Sequence, residues 1–178
     1  MTRRGTIAIL ILVAAMALTV ASSAAGGAFA SRAGCPGQGN AAAPSAAQEK
    51  TMLCLVNHAR QARGLTPLQA PRSLVQAADR KSGDVIRCDE FSHEACGREF
   101  TYWMSHFGYQ GCREGENLAW GSGRYATPRS IFQMWMHSQG HRENILGPYE
   151  DTGLGLRVGT LEGYGGAHVW TEEFGGSC

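Results

Sequence analysis

The chain has 178 residues, a formal net charge of +1, 43% hydrophobic and 17% charged residues. With no basic block and no interleaving of basic and aromatic side chains, nucleic acid is excluded as the natural partner. The length suits one domain with a single core.

The first 30 residues read as a secretory signal. Arg3 and Arg4 lead an apolar run from Ile7 to Val20, and small residues follow up to Ala28-Phe29-Ala30. The run is shorter than the roughly 20 residues a membrane span needs. Cleavage after Ala30 would leave 148 residues with 14 basic and 15 acidic side chains, a net charge of −1. The expectation is a secreted, extracellular monomer with no membrane span after signal cleavage.

All six cysteines, Cys35, Cys54, Cys88, Cys96, Cys112 and Cys178, lie beyond that signal. An even count in an oxidising compartment reads as three disulfides, with many pairings open. The short loop around His93 favours Cys88 with Cys96. Cys35 with Cys54 would staple the entry segment to the first helix, which leaves Cys112 with Cys178. No C-x-x-C spacing supports a structural zinc site on these thiols.

Residues 31–47 are rich in Gly, Ala, Ser and Pro and read as a flexible leader to a domain spanning 48–178. Ser45 and Gln48 have the spacing of a capping box. Met52, Leu55, Val56 and Ala59 recur at helical spacing, and Gly64 serves as a C-cap. Leu65-Thr66-Pro67-Leu68 is a connector that inserts an apolar residue into the core. A second helix starts near Pro71 with Leu74, Ala77, Ala78 and Val85 on one face. Gly83 weakens it by about 1 kcal/mol relative to alanine. Phe100 to Phe107 reads as a short helix ended by Gly108, and Glu116 to Trp120 as a strand between glycines. Thr127 and Pro128 begin a further helix whose buried stripe is expected to be Ile131, Met134 and Trp135. Gly153 to Val158 and Ala167 to Phe174 alternate as strands do. Helices first and strands later predict an α+β fold, a small antiparallel sheet with helices packed on it. There is no internal repeat.

Three polar clusters carry the candidate chemistry: Phe91-Ser92-His93, then Gly115 to Trp120 (GENLAW), then Gly140 to Leu146 (GHRENIL). With Trp135 to Gln139, the closing Val169-Trp170-Thr171-Glu172-Glu173-Phe174-Gly175, and the segments Leu53 to Asn57 and Arg63 to Leu68, they resemble the CAP superfamily. That superfamily comprises cysteine-rich secretory, antigen 5 and pathogenesis-related proteins, and the likeness is greatest to its bacterial SCP-like extracellular members. The resemblance runs from about residue 50 to the C-terminus and rests on four short motifs in order. It implies an α-β-α sandwich, helices flanking a small central antiparallel sheet, and a surface cavity signed by two histidines and two acids. His93, Glu116 and His141 match three of those positions. At the fourth, three residues after Trp135, this chain has Ser138 in place of a glutamate.

Chemically, His93 and His141 offer lone pairs suited to zinc or copper, with Glu116 as a third ligand or a partner that fixes a tautomer. The groups come from separate segments, so no local ligand spacing is present. His137 and His141 have the i,i+4 spacing of a zincin helix, but the acid of H-E-x-x-H is missing and Gly140 is expected to interrupt the helix. Ser92 adjoins His93 but points the other way on an extended segment, and no G-x-S-x-G turn exists. Ser138, near His141, is the better nucleophile candidate. Asn117 and Asn144 are assigned to holding turn backbones, Trp120, Trp135 and Trp170 to the core, and His58, His106 and His168 to filler positions.

The reading is an extracellular binding module for a lipid, peptide or envelope component. Its cavity of His93, Glu116, Ser138 and His141 is a candidate divalent-metal site, zinc above all, on His93, His141 and Glu116. The alternative is an extracellular, peptidase-like hydrolase using His93, Glu116 and His141. A third possibility is that the histidines only tie the fold together.

Overall fold

A computed structural model describes residues 34–177; the expected signal segment and Cys178 lie outside them. In chain order the elements are α1 (Ser45–Gln61), α2 (Arg72–Cys88), α3 (Tyr102–His106), β1 (Arg113–Gly121), α4 (Pro128–His137), α5 (Gln139–Ile145), β2 (Asp151–Leu161) and β3 (Tyr164–Gly176). The three strands form an antiparallel sheet in the order β1-β3-β2. β2 and β3 join through Glu162-Gly163, both at positive φ, as a two-residue hairpin of matching twist requires.

Strand alternation separates two cores. On one face Leu154, Leu156, Trp170 and Phe174 pack with Met52, Leu55, Val56 and Ala59 of α1 and Ile131, Phe132 and Trp135 of α4. On the other face Val169 and Ala167 meet Val85 of α2, while Leu74 and Ala77 of that helix meet Met104 of α3. The α-β-α sandwich implied by the resemblance is therefore the observed fold. Leu68 is buried as anticipated, held by Asn57, which donates to its carbonyl and accepts from its N–H.

Some local expectations need correction. Met134 faces outward at 39% exposure, and Phe132 and Met136 take its place in the buried stripe of α4. The helix presents 128, 131, 132, 135 and 136 to the core, leaving 134 on the far side. No side chain caps α1; Gln48 instead donates to the carbonyls of Ala41 and Ala43 at 2.9 and 2.7 Å. The described part of the expected flexible leader is thus fastened down. Cys35 is fully buried in a disulfide with Cys54, and Thr51 donates to the Pro36 carbonyl. Cys88 pairs with Cys96. Cys112 is disulfide-bonded too, and its expected partner Cys178 lies outside the described residues.

Helix α2 sits almost backbone to backbone on β2. A methyl on Gly153 would stand 2.1 Å from the Leu74 carbonyl, and one on Gly155 would stand 2.3 Å from that of Ala78. These two glycines set the depth of α2 over the sheet. Gly155→Ala is expected to cost about 3 kcal/mol through the forced separation, read as a shift of the urea midpoint.

Candidate functional site

The site lies where the edge strand β1 meets the end of α2 and the start of α5. Pairing places Glu116 directly across from Glu173 and Asn117 directly across from Glu172. Adjacent strand residues point to opposite faces, so two carboxyls look toward α2, and Asn117 and Glu172 look toward α1 and α5.

On the α2 side Glu116 is buried, and its Oε1 accepts from His93 Nδ1 at 2.6 Å. Its Oε2 stands 3.9 Å from Lys81 Nζ, in a pair whose side chains are each 1% exposed. Lys81 also donates to the His93 carbonyl, so one buried ammonium holds both the histidine loop and its acid. Glu116 Oε2 and both Glu173 oxygens lack any donor among the described residues. Burial, and then the charge of Glu116, push the Glu173 carboxyl well above the ordinary range. A proton on one Glu173 oxygen supplies a bond to Glu116, joining two of those three oxygens. Lys81, Glu116 and Glu173 then form one ammonium, one carboxylate and one neutral acid, a balanced set.

His93 emerges from this base with its side chain 57% exposed. The bond to Glu116 raises its pKa, partly opposed by burial. That contact stabilises the fold fully below the ordinary imidazole range and fades as pH rises through the raised value. Cys88–Cys96 closes the loop that carries it.

On the other side Asn144 of α5 donates to Asn117 Oδ1 at 2.9 Å and to the Glu116 carbonyl at 3.2 Å. Asn117 donates to the His141 carbonyl at 3.1 Å. The two asparagines therefore lock α5 onto β1, joining segments rather than closing a local turn. They carry His141 to the site, where burial, and then the charge of His93, lower its pKa. His141 Nδ1 is buried without a partner among the described residues.

Ser138 is the break between α4 and α5, with extended backbone and no side-chain cap bond. The interruption therefore falls two residues ahead of Gly140, which lies inside the first turn of α5. His137 is left exposed at the end of α4, bonded to the Gln133 carbonyl. Ser92 Oγ accepts from the Glu94 N–H. No hydrogen bond joins either serine to His93 or His141 among the described residues.

The metal expectation meets a specific obstacle. One Glu116 oxygen is committed to His93 and the other faces Lys81, so Glu116 orients an imidazole rather than offering a free ligand. Among the described residues no three His, Cys, Asp or Glu side chains are grouped as metal ligands. His93 Nε2 and His141 remain, fewer than the three protein ligands of a catalytic zinc.

Lys81, Glu173, Glu172 and Arg60 escaped the sequence reading. Arg60 is 2% exposed and donates to the carbonyls of Thr66, Ile145, Gly147 and Tyr149, tying α1 to the loop after α5. A signal was present for two of the others. Lys81 falls on the α2 stripe of Leu74, Ala78 and Val85, and Glu172 lies between Trp170 and Phe174 on one strand face.

The same fold occurs in solved bacterial proteins. An SCP-domain extracellular protein of Bacillus anthracis superposes with a TM-score of 0.64 at 20% identity, over 75% of this chain and 41% of that one. An outer surface protein of Borrelia burgdorferi gives 0.62 at 15% identity, over 72% of this chain and 92% of that one. Among curated proteins, the uncharacterized protein YkwD of Bacillus subtilis (strain 168) is 38% identical over 136 residues. That match takes in 74% of this chain, which spans about half the length (49%) of that relative. Residues 53–174 match the cysteine-rich secretory protein family, CAP, and the chain belongs to it.

Glu172 gives the pH test. Burial pushes its carboxyl up to about 8, from an ordinary 4.5. The folded chain holds this proton more tightly than the unfolded one, so stability falls as pH rises from about 4.5 through about 8. Glu172→Gln is expected to leave the melting temperature near pH 4.5 almost unchanged and to raise it above pH 8. The full linkage is on the order of 5 kcal/mol; a parallel pH profile for the two proteins would refute the assignment.

Proposed function

We propose that the protein is an exported binding module that reads an acidic group of an extracellular peptide, lipid or envelope component through His93 and His141. The observation that carries this is the contrast within one pair. His93 is 57% exposed on its side chain, while the Glu116 that orients it is 1% exposed. An imidazole anchored from below presents its remaining nitrogen to solvent in a fixed direction, and a held proton makes it a charged donor. The extracellular and outer-surface descriptions of the structural relatives, and the disulfides, support export.

A second reading is favoured by the unpartnered His141 Nδ1. Zinc would be held by His93 and His141, with Glu116 behind His93 and the bound ligand completing the set. It would supply a Lewis acid for recognising an anionic group. The hydrolase alternative has less support, because neither Ser92 nor Ser138 is bonded to a histidine.

The test is calorimetric titration of the oxidised protein, beside the His93→Ala/His141→Ala variant, with short acidic peptides, anionic lipid vesicles and zinc chloride. Binding of one acidic probe, at least tenfold weaker in the variant at matched melting temperature, is expected. Binding retained without both histidines would remove the ligand from this corner, and zinc uptake lost in the variant would establish the second reading.

A further inference from the structure

Away from the His93 corner, a cleft of about 420 Å³ opens between α2, α3 and β2. Four guanidinium groups line it, Arg80, Arg87, Arg98 and Arg157, against two carboxylates, Asp79 and Asp84. Its formal charge is therefore positive, whereas the other described residues carry 9 basic and 13 acidic side chains.

The arrangement is built from below. Asp84 is 4% exposed, and both its oxygens are used. Oδ1 accepts from Arg87 at 2.8 Å, and Oδ2 accepts from Arg98 and from Trp103 Nε1, each at 2.9 Å. Burial alone would raise this carboxyl, and the bonds from Arg87 and Trp103, with the Arg98 charge, outweigh it. The carboxylate thus fixes two guanidinium groups and an indole in one place. Arg98 also lies over the Trp103 ring, 5.3 Å from its centroid. Arg157 is paired with Asp79 at the other side. Arg80 is exposed and has no ion-pair partner among the described residues.

Gly83 forms part of the lining. A glycine in the middle of a helix is a cost, and close packing usually explains it. Here the position of a Cβ meets nothing within 4 Å, and no positive φ requires glycine. Any larger side chain at 83 would instead project into open space at the cleft. Ile86 and the exposed Val158 add apolar lining beside the charges.

We infer that this cleft is a second ligand site, taking an oxyanion headgroup, phosphate or carboxylate, joined to a small apolar group. Guanidinium forks match both headgroups through paired N–H donors, and Trp103, Ile86 and Val158 offer the surface for the apolar part. A volume of about 420 Å³ lies within the range of small-molecule sites. None of the lining residues belongs to the His93 corner, so the inference stands independently of the function proposed there.

The probes are phenyl phosphate, benzoate and neutral phenol, titrated calorimetrically at two salt concentrations. The proteins are the wild type, Arg80→Gln, Gly83→Leu and His93→Ala/His141→Ala. Saturable binding of phenyl phosphate or benzoate, weakened by salt and absent for phenol, is expected. Which headgroup binds more tightly distinguishes phosphate from carboxylate ligands. Affinity should fall at least fivefold in Arg80→Gln and in Gly83→Leu and stay unchanged in the histidine variant. Gly83→Leu should melt at or above the wild-type temperature. Arg80→Gln breaks no ion pair, so it keeps the test valid if the leucine variant folds poorly. No saturable binding of either anion, wild-type affinity in both cleft variants, or loss only in the histidine variant would overturn the inference.

Discussion

Helix α2 rests on Gly153 and Gly155 of β2, with no side chain between its backbone and the strand. That depth of approach explains why a lysine can be fully enclosed. Lys81 occupies a core-facing position of α2, and at this distance its ammonium comes to lie between Glu116 and the His93 carbonyl. A shallower helix would leave room for water around the ammonium, and the buried carboxyls would lose their counter-charge. The same helix turns Asp84 toward the arginine cleft. One packing contact between a helix and a pair of glycines therefore governs both polar regions.

The central strand carries the other unusual load. Glu172 and Glu173 are consecutive on β3, and both are completely buried. Their side chains leave the strand on opposite faces, so they do not repel one another across a single pocket. Each joins a different network. Glu173 completes the Lys81–Glu116–His93 set, while Glu172 lies near Arg60 and accepts a long bond from Asn117 at 3.4 Å. Acids in such positions persist by holding a proton, which makes the sheet itself a titrating element.

The architecture was legible because its signals are periodic. The α1 and α2 stripes, the Thr127-Pro128 start of α4 and the alternation of the last two strands each depend on spacing, which burial then respects. Met134 shows the limit of that reasoning. Its spacing from Ile131 is helical, yet two apolar stripes were possible and only packing against α1 selects one. The candidate site was legible as individual residues, His93, Glu116 and His141. What escaped was the layer beneath them, because a lysine or glutamate ordinarily reads as solvent-facing. Such a residue on an apolar stripe is the sign that another segment answers its charge, and the sequence does not say which. The order of residues 34–47 escaped for a related reason: composition describes a segment's own tendency, while Cys54 and Gln48 supply attachments from outside it.

The order of the strands has a consequence for how the chain acquires its shape. β3 is the last strand in sequence and the middle one in the sheet, flanked by β1 and β2. Among the described residues β1 has no other strand to pair with, so it waits for a partner far downstream. Non-local pairing of this kind is slow to nucleate, since loop closure precedes any reward. A chain emerging N-terminus first can form its helices early but cannot close its sheet until Tyr164 to Gly176 arrive. Glu172 and Glu173 belong to the strand that arrives last, so until then these acids have no interior to enter.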